Sequence, residues 1–106
     1  MNLQEHFMVI FLNKKHQIIG YRLLNIRNRK ACPVDLRLLV GMALHSMAFF
    51  VILAHNHPSG NLAPSNEDID VTRKIEKALY LIDVKLFDHL ILSEKNYVSM
   101  YKEGLI

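Results

Sequence analysis

The most constraining stretch of this 106-residue chain is residues 47–54, eight apolar residues in a row that run straight into His55-Asn56-His57-Pro58-Ser59-Gly60. Eight residues fall far short of the roughly 20 that a membrane helix requires. The aromatic and β-branched content of residues 49–54 predicts instead a central strand buried on both faces. Such a strand needs neighbours on either side and cover above its apolar surface.

The rest of the chain can supply both. Residues 7–12 (Phe-Met-Val-Ile-Phe-Leu) predict a buried strand, and Asn13-Lys14-Lys15-His16 a turn into a second strand over 17–26, making a hairpin. Pro33 suits the first turn of a helix over 34–47, whose apolar stripe is Leu36, Leu39, Val40, Ala43 and Met47. After the central strand comes a loop over 55–64, rich in Pro, Gly and Asn. A second helix then starts near Ser65 with the stripe Val71, Ile75, Ala78, Leu79 and Ile82. Glu67, Asp68 and Asp70 open that helix, and Arg73, Lys74 and Lys77 follow, as the helix dipole favours. Residues 84–92 predict another strand, alternating apart from an apolar Phe87, and 97–100 a short last one. The order β-β-α-β-α-β-β predicts a single α/β domain over 1–106, a mixed β-sheet flanked by helices.

Composition narrows the class further. With 51% hydrophobic residues the chain is not a disordered tail, and one Cys cannot form an internal bridge. The first six residues lack the basic stretch of a secretory signal. These features predict a cytoplasmic protein with no membrane association. The net charge of +3 is too small to argue for nucleic acid by itself. Six histidines are the less ordinary number, and they raise a metal or acid–base question.

Histidines two apart on extended backbone point to the same side, because side chains alternate. Two imidazoles and a carboxylate make a suitable N/O set for zinc, and three protein ligands leave a position open, as catalytic sites do. Asp68 lies eleven residues beyond His57 at the start of the second helix, and the intervening Pro and Gly residues allow the loop to fold back. A plainer reading stands beside this one. Ser65-Asn66-Glu67-Asp68 also has the form of a capping box, whose whole purpose can be to start a helix.

The string from His55 to Asp68, with Ser65 eight residues after His57 and Asp68 three further on, matches the JAMM metalloprotease motif of JAB/MPN domains. Within that group the wording His-Asn-His-Pro-Ser-Gly followed by Pro64-Ser65 resembles the bacterial RadC family. Asp88-His89-Leu90-Ile91-Leu92 and Tyr97-Val98-Ser99 also look like RadC endings. The resemblance covers nearly the whole chain and implies a JAB/MPN-like fold with cytidine-deaminase-like layering. It implies one catalytic zinc held by His55, His57 and Asp68. Glu5, directly before the first strand, takes the motif's general-base position, and Ser65 that of the serine assisting at the substrate oxygen. Two loops depart from the family pattern. A Gly-Thr pair and a Pro-Arg pair are replaced here by Asn25-Ile26-Arg27-Asn28 and Pro33-Val34-Asp35. Nor does the sequence carry a counterpart of the helix-hairpin-helix-like N-terminal part of longer members.

Other residues take plainer readings. His-Asn-His in a row is not the spread-out pattern of an HNH nuclease, and no Cys-x-x-Cys supports a zinc deaminase. Cys32 reads as a small residue at a helix entry, and His6, His16 and His45 as surface or half-buried. His89 reads as a packed core histidine, with a supporting role to the metal as the alternative. Arg22, Arg27, Arg29 and Lys30 read as a solvated edge. The resemblance thus implies a zinc-dependent hydrolase of peptide or isopeptide bonds in a peptide or protein substrate. The alternative is a DNA repair-associated RadC protein that acts on or binds nucleic acid, with zinc structural or nucleolytic. A third is a silent scaffold, which the full set of five motif residues disfavours. The sequence leaves homo-oligomerisation open.

Overall fold

A computed structural model describes residues 5–24 and 34–106. Arg27, Arg29, Lys30, Cys32 and Pro33, and with them both departing loops apart from Val34 and Asp35, lie outside the described residues. The elements come in the expected order: β1 (Phe7–Leu12), β2 (Ile18–Leu24), α1 (Leu36–His45), β3 (Phe50–Asn56), α2 (Asn66–Tyr80), β4 (Lys85–Leu92) and β5 (Tyr97–Ser99). They build one mixed sheet of order β2-β1-β3-β4-β5, in which β3 and β4 are parallel and the other neighbours antiparallel.

Both crossovers, β2-α1-β3 and β3-α2-β4, move across the sheet in the same direction. Right-handed connections then place both helices on the same face. That face is the core, where Val9, Val51 and Leu53 from the central strands meet Leu39 and Ala43 of α1 and Ile75 and Leu79 of α2, all fully buried. Truncating Ile75 to Ala there should cost about 2–5 kcal/mol. The predicted stripes are therefore correct at their centres and overrun at one end. Met47 lies beyond α1 with φ 57° and is 74% exposed, because the helix closes at His45 and the chain turns back into β3.

Two further differences bear on the site. The central strand runs two residues longer than its apolar run, so His55 and Asn56 belong to β3 rather than to the loop. His55 pairs across to Phe7 and Ile91, and Asn56 to Leu92, because neighbours on both sides continue the ladder past the last aliphatic residue. Phe87, the residue that broke the alternation of β4, sits where the register with β3 slips between Val51 and Ile52. A bulge there lets the residues after it resume alternation, which turns His89 into the core. No helix among the described residues is long and apolar enough to cross a membrane.

Candidate metal centre

Three chain segments meet where β3 ends. Glu5 stands just before β1, and β1 runs antiparallel to β3, so its start lies beside the end of β3. The backbone N–H of His6 and the carbonyl of His6 both bond Asn56, which ties this approach to the central strand. His57 follows β3 and extends the ladder by one bond, its N–H donating to Leu92 O at 2.8 Å. The chain then turns through Pro58-Ser59-Gly60, where Gly60 takes φ 84° and returns its N–H to His57 O. A side chain at that dihedral would be strained, so glycine suits the turn. The turn delivers the carbonyl of Asn61 to 2.7 Å from His57 Nδ1.

The third segment is the start of α2. Ser65 Oγ accepts the N–H of Asp68 at 3.0 Å, and Asp68 Oδ2 accepts the N–H of Ser65 at 2.8 Å. The capping box is thus real, and it is also what aims Asp68. Its carboxylate, 7% exposed at residue level, points from the helix start into the histidines. The plain reading and the functional one describe the same hydrogen bonds.

The four side chains converge closely. His55 Nε2 is 3.2 Å from Glu5 Oε1, His55 Nδ1 is 3.5 Å from Asp68 Oδ1, and His57 Nε2 is 3.3 Å from Asp68 Oδ2. Ligand atoms around a tetrahedral zinc with bonds of about 2.0–2.1 Å stand about 3.3 Å apart. Each pairwise spacing is of that size, but His55 faces Glu5 with Nε2 and Asp68 with Nδ1, and a single ion takes only one of these nitrogens. Glu5, His55 and His57 each hold one ligand atom within 4.8 Å of the other two. The two histidine rings are perpendicular, with centroids 4.9 Å apart.

Hydrogen bonding tells the same story. Both nitrogens of His55 are buried and neither meets hydrogen-bond geometry, despite carboxylate oxygens within 3.5 Å. A buried imidazole with two orphaned nitrogens is costly unless something else satisfies one of them. At His57 the Asn61 carbonyl can only accept, so Nδ1 carries the ring proton and Nε2 presents its lone pair toward Asp68. Burial holds the His55 pKa below its ordinary value, against the pull of the Asp68 and Glu5 carboxylates. A depressed pKa keeps the ring neutral, which is the form that binds metal.

The site lines a cleft of about 470 Å³. Phe7 and Val71 form its apolar base, and Glu67, Ser59 and Asn61 its rim. Glu5 sits toward solvent, its side chain 49% exposed. Every predicted site residue thus reaches this one cleft, Ser65 included. His6, His16 and His45 are exposed and lie outside it, as the sequence suggested. Sequence reasoning missed Thr72 and the Asn61 carbonyl. Thr72 could have been noticed four residues after Asp68, one helical turn along the same face; a backbone carbonyl leaves no signal in sequence.

Comparison with known proteins agrees with this picture. The family model described as "RadC-like JAB domain" matches residues 1–105. A UPF0758 protein of Marinomonas sp. is 44% identical over 103 residues, covering 97% of this chain and 46% of its own length. UPF0758 proteins of Flavobacterium johnsoniae and Geobacillus sp. (strain WCH70) are 42% and 39% identical, over 95% and 97% of this chain. The chain spans a little under half the length of these relatives, 44% and 46% in the last two.

Proposed function

This chain belongs to the family of RadC-like JAB domains, and from that premise we propose that it is a zinc-dependent hydrolase of peptide or isopeptide bonds. The observation that carries the reading is the convergence of Glu5, His55, His57 and Asp68 in one cleft. His55, His57 and Asp68 would hold the metal. A bound zinc would supply Lewis acidity, bringing the pKa of water at the site toward about 7.

The residues of the chain do the rest. Glu5, at the solvent side of the cleft, takes a proton from the attacking water on its carboxylate and returns it to the leaving nitrogen. The water oxygen bonds to the carbonyl carbon, the C–N bond breaks, and the proton balance closes through that single carboxylate. Ser65 Oγ spends an acceptor position on the Asp68 N–H, which leaves its O–H to donate to the substrate oxygen as negative charge develops there. His57 keeps Nε2 aimed inward because the Asn61 carbonyl holds its other nitrogen. Thus the groups that orient the site are mostly backbone atoms, fixed by the fold.

The lining of the cleft supports an amide substrate over a phosphodiester. Glu5, Glu67 and Asp68 face it, and no Lys or Arg lines it among the described residues. Apart from a bound metal, a polyanion would meet acidic side chains there and no basic partner. A single Cys and no described membrane-crossing helix suit a cytoplasmic protein. All reacting groups lie within one domain, so the domain would carry the chemistry without the remaining length of its relatives.

Zinc stoichiometry tests the reading directly. The purified chain should hold close to one zinc, and His57→Ala should hold almost none; equal metal in both would sink the site. Glu5→Ala separates base from ligand. It should retain zinc and lose hydrolysis of a peptide or isopeptide substrate, and full activity in that variant would remove Glu5 from the reaction.

A further inference from the structure

One buried polar group remains without a task in that reading. His89 on β4 is fully buried, and its Nε2 has no hydrogen-bond partner. We propose that His89 is a positioning residue for the cleft, holding the Asp68 turn of α2 through the Thr72 hydroxyl while its ring backs His55. The role deepens the zinc-site reading and rests on it.

One proton sets the direction of the bonds around Thr72. Thr72 Oγ1 lies 2.6 Å from the carbonyl oxygen of Asp68 and 2.6 Å from His89 Nδ1. A carbonyl can only accept, so the hydroxyl proton goes to Asp68 O. Thr72 Oγ1 is then an acceptor toward His89, and Nδ1 must carry the ring hydrogen. The chain of bonds runs from His89 Nδ1–H to Thr72 O–H to Asp68 O, from a sheet strand to the helix turn that aims the carboxylate. It leaves Nε2 bare in the interior. Plain packing at this position would be served better by an aliphatic side chain, which has no nitrogen to leave unsatisfied.

The surroundings hold the ring from every side. It packs edge-on to Phe7 at 5.5 Å between centroids and stands 6.2 Å from the His55 ring, while Phe7 itself lies 5.6 Å from His55. Burial lowers the His89 pKa to about 4, so the ring is neutral at ordinary pH. From behind, the N–H of Met100 donates to His89 O at 3.0 Å, and Met100 Sδ is 3.7 Å from Thr72 Oγ1. The preceding residue secures that support. Asp88 Oδ1 accepts the N–H groups of His89 and Tyr101, and Oδ2 accepts the Ser99 hydroxyl at 2.6 Å. The Asp88-His89 pair thus clamps the C-terminal turn with one side chain and the start of α2 with the other.

The test measures zinc affinity on the full chain by competition with a chromophoric chelator. His89→Leu and Thr72→Val should weaken zinc about 10–100-fold, the range typical of partners that orient ligands. His89→Asn places an amide N–H near the position of Nδ1 and Thr72→Ser keeps the hydroxyl, so both should stay within about threefold of wild type. Thr72→Val is nearly isosteric and carries the test if His89→Leu fails to fold. Unchanged affinity in Thr72→Val, with wild type binding zinc, overturns the role alone. A wild-type chain that binds no zinc overturns the reading of the cleft and this role with it. Imidazole ¹⁵N spectra of the zinc-free protein give an independent check: a proton on Nδ1 of His89 supports the chain of bonds, and one on Nε2 breaks it.

Discussion

α1 and α2 begin at the same end of the sheet, where the parallel strands β2 and β3 both finish, and they begin by the same device. Asp35 accepts the N–H of Leu38 at 3.2 Å, and Ser65 accepts the N–H of Asp68 at 3.0 Å. Each cap also takes the first helical bond on its carbonyl, from Leu39 and Ile69 respectively. The difference lies three residues on. In α1 that position is Leu38, half exposed, and the first turn contains no acid. In α2 it is Asp68, which reaches back to its own cap and forward to two histidines. A capping box is commonly a device for starting a helix. Here it also fixes the angle at which a carboxylate enters a cleft, and the central position of β3 decides which of the two helices can do so.

The largest expected effect tests that difference at its centre. Asp68→Ala removes half of the box and the carboxylate together. Zinc affinity should fall by more than the roughly 100-fold typical of losing an orienting partner, and stability by about 1 kcal/mol from the cap. Chelator competition and urea unfolding of the metal-free protein read the two separately. If stability falls while zinc is held as before, α2 starts like α1 and has no further part.

Acid should distinguish the helices next. Behind α2 sits His89, whose pKa burial lowers to about 4; no buried histidine backs α1 among the described residues. In the unfolded chain this ring titrates near 6.5. Above that pH it is neutral in both states and contributes no slope. Below it the unfolded state takes up a proton that the native state refuses, so stability falls as pH drops from about 6.5 to about 4. Integrated over that window the loss is about 3 kcal/mol, and the lowered pKa of His55 acts in the same direction. Urea midpoints at pH 7, 5.5 and 4.5 with chelator present measure it. His89→Asn should flatten most of the slope, and an unchanged slope would assign it to other groups.

Much of this arrangement was legible in the residues. β1 matches its expected bounds because six apolar residues between polar turns leave little choice. α2 is legible from its cap and stripe together. The end of β3 was not, since a strand ends where its neighbours stop pairing, and that is decided by His6 and Leu92, far away in sequence. The same limit applies at the site. The resemblance offered His55, His57 and Asp68 as ligands, yet nothing local says that Glu5, 50 residues from His55, stands 3.2 Å from it. Thr72 was passed over because a threonine on a helix face is ordinary, and only the fold brings β4 beneath it. The bulge at Phe87 left a trace, a broken alternation, but the trace did not say which side chain it would turn inward.

Smaller effects should separate the two caps. Ser65→Ala removes the acceptor for the Asp68 N–H and should cost about 1 kcal/mol in urea unfolding. The Asp68 carboxylate keeps its bond from the Ser65 backbone N–H, but the turn that carries it loses its other tie, so zinc should weaken by about tenfold at most. The Ser65→Asp variant restores a cap acceptor but adds a charge beside Asp68, and should recover stability without recovering affinity.

Asp35→Ala is the matching change in α1 and gives the smallest effect. Losing the bond to Leu38 N–H should again cost about 1 kcal/mol or less, since the side chain is only half buried. Zinc affinity should stay at the wild-type value, because nothing in α1 lines the cleft. Equal stability losses with unequal zinc losses would show that capping and aiming are separable in α2. Should Asp35→Ala weaken zinc as much as Ser65→Ala does, the effect of both would be a general loosening of the helical layer, and Asp68 would owe its aim to the whole core rather than to its own cap.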